Sequence, residues 1–75
     1  MKKEFRTHDI VLAATLKLHN FTLNRIEKVG NKGYFIFVDV DSEFLVNYDL
    51  DKVHVSPVAF NSIIKQLTTS VRRMP

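Results

Sequence analysis

Seventy-five residues make one domain, spanning 1–75, and leave little surface to bury, so the fold is either marginal or completed by a partner. Hydrophobic residues are 45% of the chain, with six Phe and two Tyr, which excludes intrinsic disorder, and the lack of cysteine excludes disulfides and thiolate metal sites. The formal net charge is only +3 but is unevenly spread: residues 1–37 carry seven Lys/Arg against three acids, residues 38–55 carry five acids against Lys52, and residues 56–75 carry Lys65, Arg72 and Arg73 with no acid.

The start, Met1-Lys2-Lys3 followed by Ile10 to Leu18, has the outline of a signal peptide. Asp9 and Lys17 interrupt its apolar run and no small-residue cleavage site follows, so a leader is not expected. No stretch approaches membrane-spanning length, and a cytoplasmic protein with no membrane partner is the expectation.

Residues 1–6 form a basic lead-in, open between a short strand and a flexible arm, with Phe5 as its one apolar anchor. Thr7 suits an N-cap, and the run from His8 to His19 predicts a first helix, apolar around most of its circumference. Asn20 suits the left-handed residue that closes such a helix. Phe21 to Val29 predicts a strand whose imperfect alternation implies a bulge near Asn24-Arg25. Gly30-Asn31-Lys32-Gly33 predicts a hairpin turn, and Tyr34 to Val40 the second arm. That arm is apolar on both faces, as expected of a strand covered on both sides.

Asp41 or Ser42 can cap a short helix from Glu43 to about Tyr48, with Phe44 and Tyr48 stacked one turn apart. Asp49-Leu50-Asp51-Lys52 reads as a polar connection and Val53-His54-Val55 as a very short strand. Ser56-Pro57 then opens a long helix to about Arg72, with Ala59, Phe60, Ile63, Ile64, Leu67 and Val71 as one apolar stripe. The expected fold is a small single-domain α+β protein: helix, β-hairpin, short helix, short strand, and a long C-terminal helix packed on an antiparallel sheet. Its expected core is Ile10, Leu12, Ala13, Leu16, Leu23, Phe35, Phe37, Phe44, Tyr48, Phe60, Ile63, Ile64 and Leu67.

These landmarks carry a resemblance. Thr7-x-Asp9 leading into Leu12-Ala13-Ala14-x-Leu16, the Phe21-x-Leu23 and Phe35-x-Phe37 strands, the Phe44/Tyr48 helix and the ending Val53-x-Val55-x-Pro57-x-x-Phe60 together resemble a family of small domains of unknown function from bacteria, archaea and especially bacteriophages. The likeness covers about residues 5 to 72 and rests on core and capping positions. It departs at Asn20, where a glycine would be expected. The resemblance implies an accessory protein encoded by a phage or mobile element, working in the host cytoplasm, and implies no activity.

Little in the chain points to chemistry. His8 and His19 stand at opposite ends of the first predicted helix, about 16 Å apart by the rise of an α-helix, so they cannot share a metal, and His54 is alone. Asp39 and Asp41, at i and i+2 of a strand, would point to one face, with Glu43 following, as in a divalent-cation patch. A capping role for Asp41 is the stronger reading. No Ser or Thr sits in a nucleophile elbow, and the two glycines make one turn rather than a phosphate-cradling loop. No catalytic residue, cofactor, metal or small-molecule substrate is expected, and the protein is read as a non-enzyme.

Two binding readings remain. The first is protein–protein association, either modulation of a host protein or self-assembly, with an expected homodimer formed by pairing the aromatic hairpin arm edge to edge. The second is nucleic-acid binding through Lys2, Lys3 and Arg6 of the lead-in and Arg25, Lys28 and Lys32 of the hairpin, which would make a six-cation patch if the two groups adjoin.

Overall fold

The computed structural model describes residues 3–50 and 53–74. Its elements are strand β1 (Glu4–Thr7), helix α1 (Ile10–Leu18), strands β2 (Thr22–Val29) and β3 (Lys32–Val38), and helices α2 (Ser42–Asp49) and α3 (Pro57–Arg73). The chain is thus an α+β domain with one three-stranded antiparallel sheet in the order β1-β3-β2. The lead-in supplies a strand, and the aromatic arm of the hairpin becomes the central one. Residues 53–55 form no strand, contrary to their alternation. Both edges of β3 are taken, and three residues hemmed in by Pro57 do not reach another edge.

Local chemistry explains each boundary. Asp9, rather than Thr7, caps α1: its Oδ1 accepts from the N–H groups of Val11 (3.0 Å) and Leu12 (3.3 Å), while Thr7 Oγ1 accepts from the Asp9 N–H. Asn20 closes the helix at φ 67°, as expected, with the Phe21 N–H donating to the Leu16 carbonyl and the Asn20 N–H to that of Lys17. Those two bonds are the paired closure of a Schellman motif, which needs a left-handed residue there. The register shift between Leu23 and Arg25 is the expected bulge. The hairpin loop is only Gly30-Asn31, with positive φ at Gly30 (61°) and not at Asn31, the pattern of a type II′ turn.

β3 ends at Val38, two residues short of the expected arm, because Asp39 turns to φ 56°. Its N–H donates to the Lys3 carbonyl at 2.9 Å, and its Oδ1 accepts from the Lys3 N–H at 3.4 Å. Asp41 caps α2, its Oδ1 accepting from the Glu43 N–H at 2.9 Å. The two aspartates therefore share no strand face, and the cation patch they could have made with Glu43 does not form. Among the described residues no group of three metal-ligating side chains assembles.

Strand alternation puts Phe5, Leu23, Ile26, Phe35 and Phe37 on one face of the sheet, under α1 and α3. The buried cluster is Ala13, Ala14, Leu16, Phe35, Phe37 and Leu67, with the α3 stripe of Phe60, Ile63, Ile64 and Val71 packed against it. Thr15 is buried as well, its hydroxyl donating to the Val11 carbonyl at 2.9 Å. Phe44 joins by its ring contacts with Phe21 (4.9 Å between centroids) and His19 (5.1 Å). Tyr48, expected in the core, instead lines a surface groove. No described helix is long and apolar enough to cross a membrane.

At Gly33 helix α3 approaches the sheet closely. A Cβ there would lie 2.6 and 2.9 Å from the two γ-methyls of Val71. Gly33→Ala should destabilise the fold by about 1–3 kcal/mol through overpacking, and adding Val71→Ala should recover part of that loss, giving a non-additive double-mutant cycle in chemical denaturation. Phe35→Ala removes a side chain only 2% exposed and should cost about 3–5 kcal/mol in the same assay.

Candidate functional site

The second face of the sheet carries no helix of the described residues and is organised by charge. Glu4 and Arg6 of β1, Thr22, Arg25 and Glu27 of β2, and Tyr34, Ile36 and Val38 of β3 point to it. Arg25 reaches across the central strand to Glu4 with two bonds, Nη1 to Oε2 at 2.6 Å and Nη2 to Oε1 at 3.2 Å. Its Nε donates to Glu27 Oε2 at 2.9 Å, and Asn24 Nδ2 donates to Glu4 Oε2 at 3.4 Å. Arg6 lies 4.0 Å above the Tyr34 ring, with its Nε 4.0 Å from Glu27. Beneath this lattice Ile36, the cross-strand partner of both Arg6 and Arg25, is 1% exposed. The expected two-sided cover of β3 thus consists of helices on one face and the stems and heads of charged side chains on the other.

Among the described residues the expected cations do not gather into one patch. Arg6 and Arg25 stand together but are matched by Glu4 and Glu27. Lys28 is on the helix-covered face, where its Nζ donates to the Met74 carbonyl at 3.2 Å. Lys32 is exposed at the hairpin loop, Lys3 sits beside Asp39 at the far end of β1, and Lys2 lies outside the described residues. Asp51 and Lys52 of the expected polar connection also lie outside them.

Glu4 is the residue that sequence reasoning overlooked, counted only as part of a basic segment. The alternation Glu4-Phe5-Arg6-Thr7 was the available signal. Its hydrogen bonds from Arg25, then the nearby guanidinium charge and Asn24, hold its carboxyl below the ordinary glutamate range against a smaller opposing effect of desolvation. Arg25 is raised further above its already high value, first by Glu4 and then by Glu27, so it stays charged throughout.

The histidines stay apart. His8 meets the edge of Tyr34 at 5.8 Å, His19 packs on Phe44, and His54 is exposed.

A second surface mixes aliphatic and polar side chains. Val11 and Thr15 of α1, Tyr48 of α2, Val53 and Val55 of the connection and Phe60 of α3 line an open groove of about 580 Å³, with Asp49 and Asn61 at its margin. The Thr15 hydroxyl is already bonded to the Val11 carbonyl, and Tyr48, Asp49 and Asn61 add polar groups to a lining that is otherwise apolar. Val11, within the groove, is 46% exposed. Leu50 and Val58, each next in sequence to a lining residue, are 57% and 81% exposed. Comparison with protein-family models, curated proteins and solved structures gives no match.

The Glu4 carboxyl is depressed in the folded chain, so its stabilising effect is full above the unfolded glutamate pKa and disappears as pH falls through the folded value. The melting temperature of wild type should therefore exceed that of Glu4→Gln at neutral pH, and the gap should close in acid. A gap that persists below the carboxylate range would assign the effect to packing. Both partners are exposed, so added salt should narrow the neutral-pH gap as well.

Proposed function

We propose that this protein is a non-catalytic binding module acting by protein–protein association through the groove between α1, residues 53–55 and the start of α3. The observation that supports this reading is the concentration of exposed aliphatic side chains, Val11, Leu50 and Val58, in and beside one open apolar groove. Contiguous apolar surface of this kind marks contact sites on small proteins. The resemblance to small phage, bacterial and archaeal domains extends the reading to an accessory protein of a phage or mobile element, acting on a host protein in the cytoplasm.

Sheet-edge dimerisation has less to support it. The aromatic arm is the central strand, and the free edges are β1, only four residues long and carrying Glu4 and Arg6, and β2, which carries the Asn24 bulge and the charged Arg25, Glu27 and Lys28. These are the devices by which proteins block edge pairing. The nucleic-acid reading loses its expected patch, since Arg6 and Arg25 are matched by acids and Lys28 is on the other face.

Val58 is in the first turn of α3, just after Ser56 and Pro57, where an acidic residue suits the helix dipole. Val58→Asp should therefore preserve the fold while placing a charge beside the groove. In a pull-down from bacterial lysate with and without nuclease, wild type should retain a stoichiometric protein after nuclease treatment. Val58→Asp should reduce that capture at least tenfold. Equal capture by both forms, or partners that vanish with nuclease, would refute the reading.

A further inference from the structure

We infer that the end of the molecule where the hairpin loop meets the last turns of α3 is a contact surface for the phosphate backbone of nucleic acid, independent of the apolar groove. Three observations join these parts. Val71 of α3 occupies the space a side chain at Gly33 would need. Lys28 Nζ donates to the Met74 carbonyl at 3.2 Å. His8, Gly33, Thr68 and Arg72 line one cleft of about 200 Å³.

Together they place Lys28 beside the last turn of α3, which carries Arg72 and Arg73, while Lys32 stands at the same hairpin end on the other face of the sheet. Helix α3 has no acidic residue in its 17 positions, and Lys65 shares a shallow surface with Gln66, Thr69 and Arg73, which extends the positive stripe along the helix. Among the described residues none of these five cations lies in an ion pair, in contrast to Arg6 and Arg25. The acids nearest in sequence are engaged elsewhere. Asp9 caps α1, and Glu27, on the face of the sheet opposite Lys28, is paired with Arg25.

The chemistry favours phosphates. Point charges are spread over two elements and interleaved with the amide of Gln66 and the hydroxyl of Thr69, groups that typically contact phosphate oxygens. A membrane surface is the poorer fit, because the segment from Lys65 to Arg73 has no exposed large hydrophobic residue to enter the interface. The signal was legible as acid-free composition after residue 55, but the sequence did not show that this segment ends beside the hairpin.

The test is fluorescence anisotropy of the full chain with a labelled mixed-sequence duplex of about 20 base pairs, at salt from about 50 to about 200 mM. Neutralising about five phosphates should give a salt slope near −4.5, so that affinity falls by about two to three orders of magnitude over that range. The triple variant Lys32→Gln/Arg72→Gln/Arg73→Gln, with Lys28 kept for its bond to Met74, should weaken binding at least tenfold at low salt and flatten the slope by about three. Arg6→Gln/Arg25→Gln should leave the slope unchanged, with circular dichroism confirming that each variant is folded. If the triple variant were unfolded, Arg73→Gln alone should flatten the slope by about one. No binding by wild type, a salt-independent affinity, an equal loss in the Arg6/Arg25 variant, or tighter binding to phosphatidylserine vesicles than to duplex would each overturn the inference.

Discussion

Phe35 and Phe37 are sealed from water because α1 presents two adjacent small side chains, Ala13 and Ala14, to the shared core. Large residues at those positions would hold the helix away and leave two aromatic rings partly wet. With the alanines there, α1 lies close, Leu16 and Leu67 complete the cluster, and α3 packs in turn against α1. Burying each Phe contributes about 2–3 kcal/mol, a large share of what so small a domain can gain. The same central strand holds up its other face by different means. Ile36 has no helix above it, and the Glu4–Arg25 bridge and the Arg6–Tyr34 stack shield it instead.

Much of this was legible in the residues. The glycine turn, the bulge near Asn24, the left-handed Asn20, the capping Asp41, the Pro57 start of α3 and most of the aromatic core follow from local rules. These features depend on neighbours a few positions away. What could not be read depended on distant pairing. Glu4–Thr7 is too short and too charged to announce a strand, and it becomes one only because β3 offers an edge. Val53-x-Val55 alternates like a strand and remains irregular because it pairs with neither outer edge of the sheet. The cations that looked like a patch are separated by the alternation of sheet faces, which is invisible until the register is known. Arg25 and Lys28, three positions apart across no further bulge, point to opposite sides.

The surfaces that remain available are at the two ends of α3. Its first turn borders the apolar groove and its last turn carries Arg72 and Arg73, about 24 Å away by the rise of the helix. Of the acids in the middle of the sequence, Asp49 at the end of α2 lines the groove, while Asp41 and Glu43 stand at the other end of that helix.

The sheet also dictates an order of assembly. β2 and β3 need only close a loop of two residues, whereas β1 must find β3 across a separation of about thirty positions, from Glu4↔Val38 to Thr7↔Phe35. The hairpin is therefore the local pairing, and β1 is the strand whose docking closes the longer loop. Because β1 is only four residues long, the Arg25 bridge that crosses β3 to Glu4 acts as its latch. Its loss would leave β1 held by its backbone pairing to β3 and by Phe5, and would thin the cover over Ile36 at this edge of the sheet.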